Sequence, residues 1–294
     1  MRRLSILLVG LLMGGAILSW LAGSYLVAPT QHLVPLPAGL QADSVQIERG
    51  NGQPVAGWFL RGSGKGAILL LHGIRADRRQ MLGRARFLAA SGYSVLLIDL
   101  PGHGESAAPA ITFGLREADG VQAALAFLRT RTPGQPLGMI GVSLGAASFM
   151  LCKTCPQVDA VVLESMYPTI EEAVEDRLRQ RAGMLAMPLS RLLLWQLPLR
   201  LDIDQRQLRP IDAMPGLRMP VMVAAGDRDL HTTIGETRRI FAGASQPKAL
   251  WEVPGAAHVD LYAYAPREYE ERIGRFLTDS FSGKTVGHEE LAAF

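Results

Sequence analysis

Short apolar segments alternate with longer segments of helical character over most of this 294-residue chain. Eight of the short segments have the length and composition of strands, at 44–48, 55–61, 67–71, 93–98, 137–140, 160–163, 221–225 and 249–253. Most of them are apolar throughout, which is typical of strands covered on both faces. Helical segments lie between them, among them 78–90, 115–129 and 144–153. The alternation predicts an α/β fold with a mostly parallel eight-stranded sheet and helices on both faces.

The alternation is interrupted between Ser165 and Pro220, where no strand is predicted. Helical segments at 170–181 and 184–197 predict a helical cap at about 166–215, after the sixth strand. An insertion there lies above the carboxyl edge of the sheet, where open α/β folds bind ligands. Two interpretations stay open. The apolar residues of the cap line a pocket for an apolar substrate, or they only close over the core of the domain.

The N-terminal segment, residues 1–27, is the most apolar part of the sequence. Arg2 and Arg3 are followed by a run, residues 4–27, with few polar side chains. A helix of about 24 residues is roughly 36 Å long, whereas a bilayer core is about 30 Å thick. The sequence therefore predicts an uncleaved transmembrane anchor. A cleaved signal peptide is the alternative, since residues 22–24 are small.

The two arginines before this run predict an N-terminus in the cytoplasm. The remaining chain is then expected on the non-cytoplasmic side, periplasmic or extracellular, anchored by a single pass, or secreted if the segment is cleaved. Residues 28–43 carry three prolines and no periodicity, which predicts a linker. The folded domain is predicted at 44–281 and a loose tail at 282–294.

Composition argues against several other kinds of function. The net charge is +3 and the basic residues are scattered, so nothing supports nucleic-acid binding. No further Cys or His pair stands at ligand spacing, and nothing implies a metal ion or an organic cofactor. Cys152 and Cys155 are interpreted as small apolar residues on a helix, while a local disulfide and a redox motif stay open as alternatives. The sequence does not indicate an oligomeric state.

Residues 141–145 form the pattern G-x-S-x-G between a predicted strand and a predicted helix. A serine hydroxyl is a poor nucleophile unless a tight strand-to-helix turn holds it out from the backbone. The flanking glycines leave space where a side chain would collide. The following helix directs its N-terminus at developing negative charge. Ser143 is therefore the candidate nucleophile.

A serine nucleophile needs a general base, and the base needs a carboxylate that orients it. His258 follows the last predicted strand in a loop of small residues and is the candidate base. Asp227 and Asp229 follow the penultimate strand and offer the carboxylate. The nucleophile, the acid and the histidine thus occur in the chain order that is expected on an α/β-hydrolase sheet.

From about residue 46 to residue 277, the chain resembles α/β-hydrolases of the serine esterase and lipase kind. It is similar to the membrane-anchored bacterial members with a short helical cap. Five motifs carry the resemblance in the expected order: His72-Gly73 after the third strand, the D-x-x-G-x-G-x-S run at 99–106, the turn at Ser143, the G-x-x-D at 226–229 and the final His258. The resemblance implies a Ser143-His258-Asp229 triad.

Asp229 is the acid by its position in G-x-x-D, and Asp227 is the competitor. The alternative role of Asp227 is a surface salt bridge with Arg228. Some relatives place their acid where this chain has Glu164, at the end of the sixth strand.

The resemblance also implies an oxyanion hole, formed by the backbone N–H groups of Leu144 and Ile74, with Arg75 as the alternative to Ile74. The run at 99–106 is expected to shape a turn at the rim of the site rather than to take part in chemistry.

These residues imply a two-step acyl transfer through a covalent acyl-enzyme. An apolar cap favours carboxylic esters with an apolar acyl group, so the expected partner is a small ester or acyl substrate. A peptidase or a thioesterase uses the same triad and stays open. A catalytically silent lipid-binding protein is the alternative from a different class.

Overall fold

One sheet of eight strands organises the protein. The computed structural model describes residues 2–50 and 52–283. The strands are β1 (Asp43–Ile47), β2 (Val55–Leu60), β3 (Ala67–Leu71), β4 (Ser94–Ile98), β5 (Leu137–Val142), β6 (Ala160–Glu164), β7 (Val221–Gly226) and β8 (Lys248–Val253). Their order is β1-β2-β4-β3-β5-β6-β7-β8. Only β2 runs antiparallel to its two neighbours. The predicted mostly parallel sheet is confirmed.

Helices cover both faces of this sheet, as the sequence predicts. On one face lie α2 (Leu82–Ala90), the short α9 (Leu261–Tyr264) and α10 (Pro266–Phe281), and on the other lie α3 (Glu117–Arg131), α4 (Leu144–Met150) and α8 (Ile234–Gly243). Successive side chains of a strand point to opposite faces. In β3, Leu69 and Leu71 therefore join the core under α3 and α4, while Ile68 and Leu70 join the core under α2 and α10. Burial on both faces explains why this strand is apolar throughout.

The interval between β6 and β7 is helical. It contains α5 (Ile170–Ala182), α6 (Ala186–Leu194) and α7 (Leu197–Leu201), with 3-10 turns at Gly183–Leu185, Gln205–Gln207 and Pro210–Gly216. Thr169 caps α5 by accepting a hydrogen bond from the backbone N–H of Glu172. Six buried residues form a small core that belongs largely to the cap: Ile170, Leu194, Leu197, Leu201, Ile203 and Leu208.

The N-terminal helix, α1 (Arg2–Val27), packs against the cap through polar contacts in its second half. The amide of Gln196 donates to the Ser19 hydroxyl at 2.8 Å, and the guanidinium of Arg200 donates to the Ser24 hydroxyl at 2.8 Å. The same guanidinium lies 3.8 Å from the ring centroid of Trp20. These two serines are therefore binding partners of the cap.

Over the residues that the structure describes, no helix combines the length and the apolar character that a membrane crossing requires. The prediction of a single-pass transmembrane anchor at 1–27 is therefore wrong. The sequence argument counted the apolar side chains of the run and treated Ser19 and Ser24 as minor interruptions, whereas both bind polar side chains of the cap.

The predicted linker, residues 28–43, is bonded to the loop that follows β4. Thr30–Gln31 pairs in parallel with His103–Gly104. The N–H of Val34 donates to Glu105, and its carbonyl accepts from Arg78 at 2.9 Å. Asn51, between β1 and β2, lies outside the described residues, and so does the predicted tail from residue 284 onward.

Cys152 and Cys155 form a disulfide. Because α4 ends at Met150, the two cysteines lie in the loop after the helix rather than on it. The interpretation of both as apolar helical residues is therefore wrong, and the local disulfide is the alternative that holds.

Candidate active site

The turn between β5 and α4 places Ser143 in a strained backbone conformation. Its φ is +49° and its ψ is −106°, a region that residues with a side chain rarely occupy. A Cβ on Gly141 would lie 2.6 Å from the backbone nitrogen of Ala146, and one on Gly145 would lie 2.6 Å from the carbonyl oxygen of Leu71. Only glycine therefore fits at these two positions. Ser143 is 3% exposed.

His258 and Asp229 are in direct contact. The Nδ1 atom of His258 lies 2.7 Å from Oδ2 of Asp229. The other carboxylate oxygen accepts the backbone N–H groups of His231 at 2.8 Å and Thr232 at 3.0 Å. A carboxylate can only accept at Nδ1, so this contact places the imidazole proton there and leaves Nε2 as the basic nitrogen.

Burial of the Asp229 carboxyl acts to raise its pKa. The hydrogen bonds from His258, Thr232 and His231 outweigh burial and hold the pKa below its usual value. The group is therefore ionised in the folded protein at neutral pH, as an orienting carboxylate must be.

The loops after β7 and β8 are bonded to each other, which fixes the spacing of Asp229 and His258. Asp227 accepts the N–H of Gly255 at 2.7 Å, and the N–H of Arg228 donates to the carbonyl of Ala256 at 2.9 Å. The Asp227 side chain thus binds the backbone of the loop that carries His258 and does not contact the imidazole. No ion pair joins it to Arg228 among the residues that the structure covers.

Glu164 is bound by side chains outside the predicted triad. Its carboxylate pairs with the guanidinium of Arg84 at 2.5 Å, and one of its oxygens accepts the hydroxyl of Tyr269 at 2.5 Å. Arg84 also pairs with Asp260 at 2.8 Å, two residues beyond His258. All of the side chains in this group except that of Asp260 are fully buried. The group links β6 and α2 to the histidine loop.

The carboxyl ends of the strands that carry these residues are hydrogen-bonded to each other. The N–H of Ser143 donates to the carbonyl of Glu164, and the N–H of Ser165 donates to the carbonyl of Ala224, both at 2.8 Å. The ends of β5, β6 and β7 therefore form one edge. Within the described part of the chain, the Ser143 hydroxyl makes no hydrogen bond to His258. The structure thus brings Asp229 and His258 together and leaves the Ser143 to His258 contact unmade.

A cavity of about 200 Å³ opens beside Ser143 under the cap. Its walls are mainly apolar and include Leu26 of α1, Phe113, and Ile170 and Val174 of α5. Arg75 and Arg177 also line it. Leu26, Phe113 and Arg177 were not predicted as site residues, because no motif marks them and only the packing of α1 and α5 brings them to Ser143.

Ile74 and Leu144, the two predicted oxyanion residues, lie in the wall of the same cavity. Leu144 is the first residue of α4, so its N–H has no partner within the helix. Neither amide donates to another backbone group in the turns and loops that the structure describes. Both N–H groups are therefore available to a ligand beside Ser143.

Arg75 follows Ile74 with a φ of +59°. Its guanidinium donates to the carbonyl of Tyr25 and lies 4.3 Å from the centroid of the Tyr25 ring. The end of α1 is thereby attached to the loop that carries Ile74 and Arg75.

His72 and the run at 99–106 shape the backbone around the site. His72 bonds the carbonyl of Gly73 through Nδ1 and accepts the N–H of Leu100 at Nε2. Complete burial lowers the pKa of His72 to about 4, so it is neutral. Asp99 accepts the N–H groups of Arg78 and Glu105, both at 2.8 Å.

A second histidine lies beside the predicted base. The ring centroids of His231 and His258 are 5.0 Å apart. Burial lowers the pKa of His231, and the charge of Arg177 lowers it further. Its position two residues after Asp229 is the signal that could have identified it from the sequence.

A family model described as "Alpha/beta hydrolase family" matches residues 68–272, more than half of the chain. The chain belongs to the alpha/beta hydrolase family. It is similar to the uncharacterized protein Rv2307c of Mycobacterium tuberculosis, with 30% identity over 251 residues that cover 83% of this chain and 81% of that protein. It is also similar to the uncharacterized protein YqkD of Bacillus subtilis, with 23% identity over 71% of this chain and 70% of that one.

Solved alpha/beta hydrolase structures share the fold. The Pyrococcus furiosus esterase PF2001 superposes with a TM-score of 0.73 at 20% identity, covering 87% of this chain and 98% of that one. A thermophilic esterase from Thermogutta terrifontis superposes with a TM-score of 0.61 at 19% identity, covering 82% and 100%. The family match supports a hydrolase, and the likeness to these solved structures shows the fold.

Proposed function

We propose that the protein hydrolyses carboxylic esters with an apolar acyl group, through Ser143, His258 and Asp229. The hydrogen bond of 2.7 Å between Asp229 and His258, on the sheet edge that also carries the Ser143 turn, is the observation that supports this proposal best. The apolar cavity beside Ser143 supports an acyl chain as the bound group.

In the proposed acylation step, Nε2 of His258 takes the Ser143 proton while Oγ bonds to the ester carbonyl carbon. The carbonyl electron pair moves onto the oxygen, which the N–H groups of Leu144 and Ile74 stabilise. When the carbonyl re-forms, the bond to the alcohol breaks, and His258 gives its proton to the departing oxygen.

Deacylation repeats these steps with water. His258 takes a proton from water, the hydroxyl bonds to the acyl carbon, and the bond to Ser143 breaks. The proton then returns from His258 to Ser143, and the carboxylic acid leaves. Both steps require Ser143 Oγ and His258 Nε2 to come within about 3.2 Å in the substrate complex, since catalytic hydrogen bonds are often looser without substrate.

The experiment is labelling with a fluorophosphonate, together with hydrolysis of 4-nitrophenyl esters of increasing acyl length. We expect the wild type to be labelled and active, and Ser143→Ala to lose both properties. Ser165→Ala is the matched control, because Ser165 is a buried serine at the end of β6 whose hydroxyl has no hydrogen-bond partner among the described residues. Labelling that survives in Ser143→Ala, or is lost only in Ser165→Ala, contradicts the proposal.

Thioester and amide analogues of the best ester separate this proposal from a thioesterase or a peptidase. We expect the ester to give the highest kcat/KM. A preference for the thioester or the amide at equal acyl length would contradict the ester assignment and leave the triad in place.

A further inference from the structure

Arg177 is a cation in the wall of the Ser143 cavity without a carboxylate partner in the described part of the chain. Its one hydrogen bond there runs from Nη1 to the carbonyl of Ala173, one turn earlier in α5, at 2.7 Å. Arg179, two residues later, pairs with Glu175 at 2.6 Å and with Asp176 at 3.4 Å. Glu175 and Asp176 therefore pair with Arg179 and not with the arginine that lines the cavity.

The carboxyl groups near Arg177 are bound by other groups. Asp229, Asp176 and Glu236 are close enough to act on the charge of Arg177, but none of them forms an ion pair with it among the described residues. The two oxygens of Asp229 accept from His258, His231 and Thr232. Tyr167 lines the same cavity and donates its hydroxyl proton to the carbonyl of Phe113 at 2.7 Å. None of these side chains contacts the guanidinium in the described part of the chain.

Arg75, the second cation in the wall of the cavity, differs from Arg177 because its guanidinium has partners in α1. The guanidinium of Arg75 is engaged by the carbonyl and the ring of Tyr25. Arg177 therefore keeps guanidinium donors without a partner among the described residues, in the wall of a mainly apolar cavity. A half-buried cation without a directly paired carboxylate is less favourable than a paired one, and an anion that enters the cavity supplies the pair. Burial of Arg177 acts to lower its pKa, but a guanidinium stays charged at neutral pH.

We propose that Arg177 binds an anionic group of the substrate, so that the preferred substrates of the Ser143 site are esters that carry a carboxylate or a phosphate. The guanidinium matches the planar arrangement of oxygens in both groups and binds them through two parallel hydrogen bonds. The apolar wall between Ser143 and Arg177 then holds a short carbon chain that connects the ester to the anion. This inference rests on the proposed ester hydrolysis and adds the substrate class.

The experiment compares esters that differ only in charge. Mono-4-nitrophenyl esters of succinate, glutarate and adipate are anionic, and the same esters with the free carboxylate methylated are neutral. We expect the wild type to prefer the anionic member by about tenfold to a hundredfold in kcat/KM, mainly through KM, for at least one chain length.

The ratio of the two kcat/KM values is the readout for the variants. In Arg177→Gln we expect this ratio to fall to about 1, and in Arg177→Lys to keep an intermediate value, because lysine retains the charge but not the paired donors. Arg181→Gln is the control, since Arg181 is an exposed arginine of the same helix. We expect it to keep the ratio of the wild type. Equal rates for charged and neutral esters in the wild type, or an unchanged ratio in Arg177→Gln, would overturn the inference.

Competition separates the two sources of the anion. Monomethyl glutarate and glycerol 3-phosphate are tested as inhibitors of hydrolysis of the neutral ester. Inhibition by the first alone assigns a carboxylate substrate, and inhibition by the second alone assigns a phosphate substrate. Both results support the site if Arg177→Gln removes the inhibition, whereas no inhibition by either compound overturns it.

A binding experiment on Ser143→Ala distinguishes failure of this inference from failure of the proposed function. Isothermal titration calorimetry with monomethyl glutarate and with dimethyl glutarate is expected to detect binding of the charged compound only, and Arg177→Gln in the same background is expected to abolish it. Charge-selective binding without ester hydrolysis by the wild type overturns ester hydrolysis alone. Ester hydrolysis without such binding overturns the anion site alone.

Discussion

Asp176 of cap helix α5 and Glu236 of the first turn of α8 bring two buried carboxyl groups together. Glu236 also accepts the N–H of Thr233 at 2.6 Å in a capping box. Of the groups around the pair, Arg179 bonds Asp176, while the carboxylates of Glu172 and Glu175 add repulsion. Burial and the charge of Asp176 raise the pKa of Glu236 to about 7. The close approach of the two carboxyl groups therefore favours a bound proton in the folded protein.

This pair predicts a pH dependence of stability. A folded-state pKa above the ordinary value of 4.5 means that the folded state holds the proton more tightly. The stabilisation that Glu236 gives the folded state by binding this proton is complete below about pH 4.5 and is lost as the pH rises through 7. We expect a loss of about 1 to 3 kcal/mol between pH 5 and pH 8, visible as a falling Tm. Glu236→Gln should flatten this fall, whereas Glu252→Gln, in an exposed pair with Arg238, should not. Equal slopes in all three proteins contradict the assignment.

Gly145 predicts a steric limit at the nucleophile turn. A methyl group at this position meets the backbone of Leu71 and His72 at 2.6 to 2.8 Å, which cannot move aside easily. We expect Gly145→Ala to cost about 1 to 3 kcal/mol in the free energy of unfolding and to reduce ester hydrolysis strongly. Gly216→Ala serves as the control, because a Cβ there meets nothing within 4 Å. Urea denaturation of both variants provides the measurement.

Asp229 and Asp227 predict unequal effects of the same substitution. Asp229→Asn removes the charge that stabilises the His258 imidazolium and favours the wrong tautomer, so kcat should fall by about 10³- to 10⁴-fold. In Asp227→Asn the amide oxygen can still accept the N–H of Gly255, so we expect a much smaller loss. Steady-state kinetics on one ester compares the two. A larger loss for Asp227→Asn would assign the acid to that residue instead.

Arg84 and Glu164 predict coupled losses of stability. Breaking a fully buried ion pair leaves one charge without a partner, so Arg84→Met and Glu164→Gln should each cost about 3 to 5 kcal/mol in the free energy of unfolding. The double variant should lose much less than the sum of the two, since no lone buried charge remains. Additive losses would show that the two side chains act independently.

Residues with a local chemical reason for their position could be predicted from the sequence. The glycines at 141 and 145 mark a turn that no other residue fits, and β3 is apolar throughout because both of its faces are buried. The fold follows from such local patterns. Ser143, Asp229 and His258 were selected by the same kind of signal, and their joint action stays a prediction.

Features that depend on packing between distant segments could not be predicted. Leu26 and Arg177 reach the cavity only because α1 and α5 pack over the carboxyl edge of the sheet. The role of α1 was predicted wrongly for the same reason, because an apolar run does not reveal that Gln196 and Arg200 bind its serines. The disulfide of Cys152 depends on where α4 ends. The helix ends at Met150, so both cysteines lie in the loop that follows it.

Leu26 places the last turn of α1 in the wall of the cavity beside Ser143. A recombinant version trimmed at residue 28 to ease expression would lose this part of the wall and the contacts of Tyr25 with Arg75. On the proposed ester hydrolysis, we expect such a version to accept bulkier acyl groups than the intact chain.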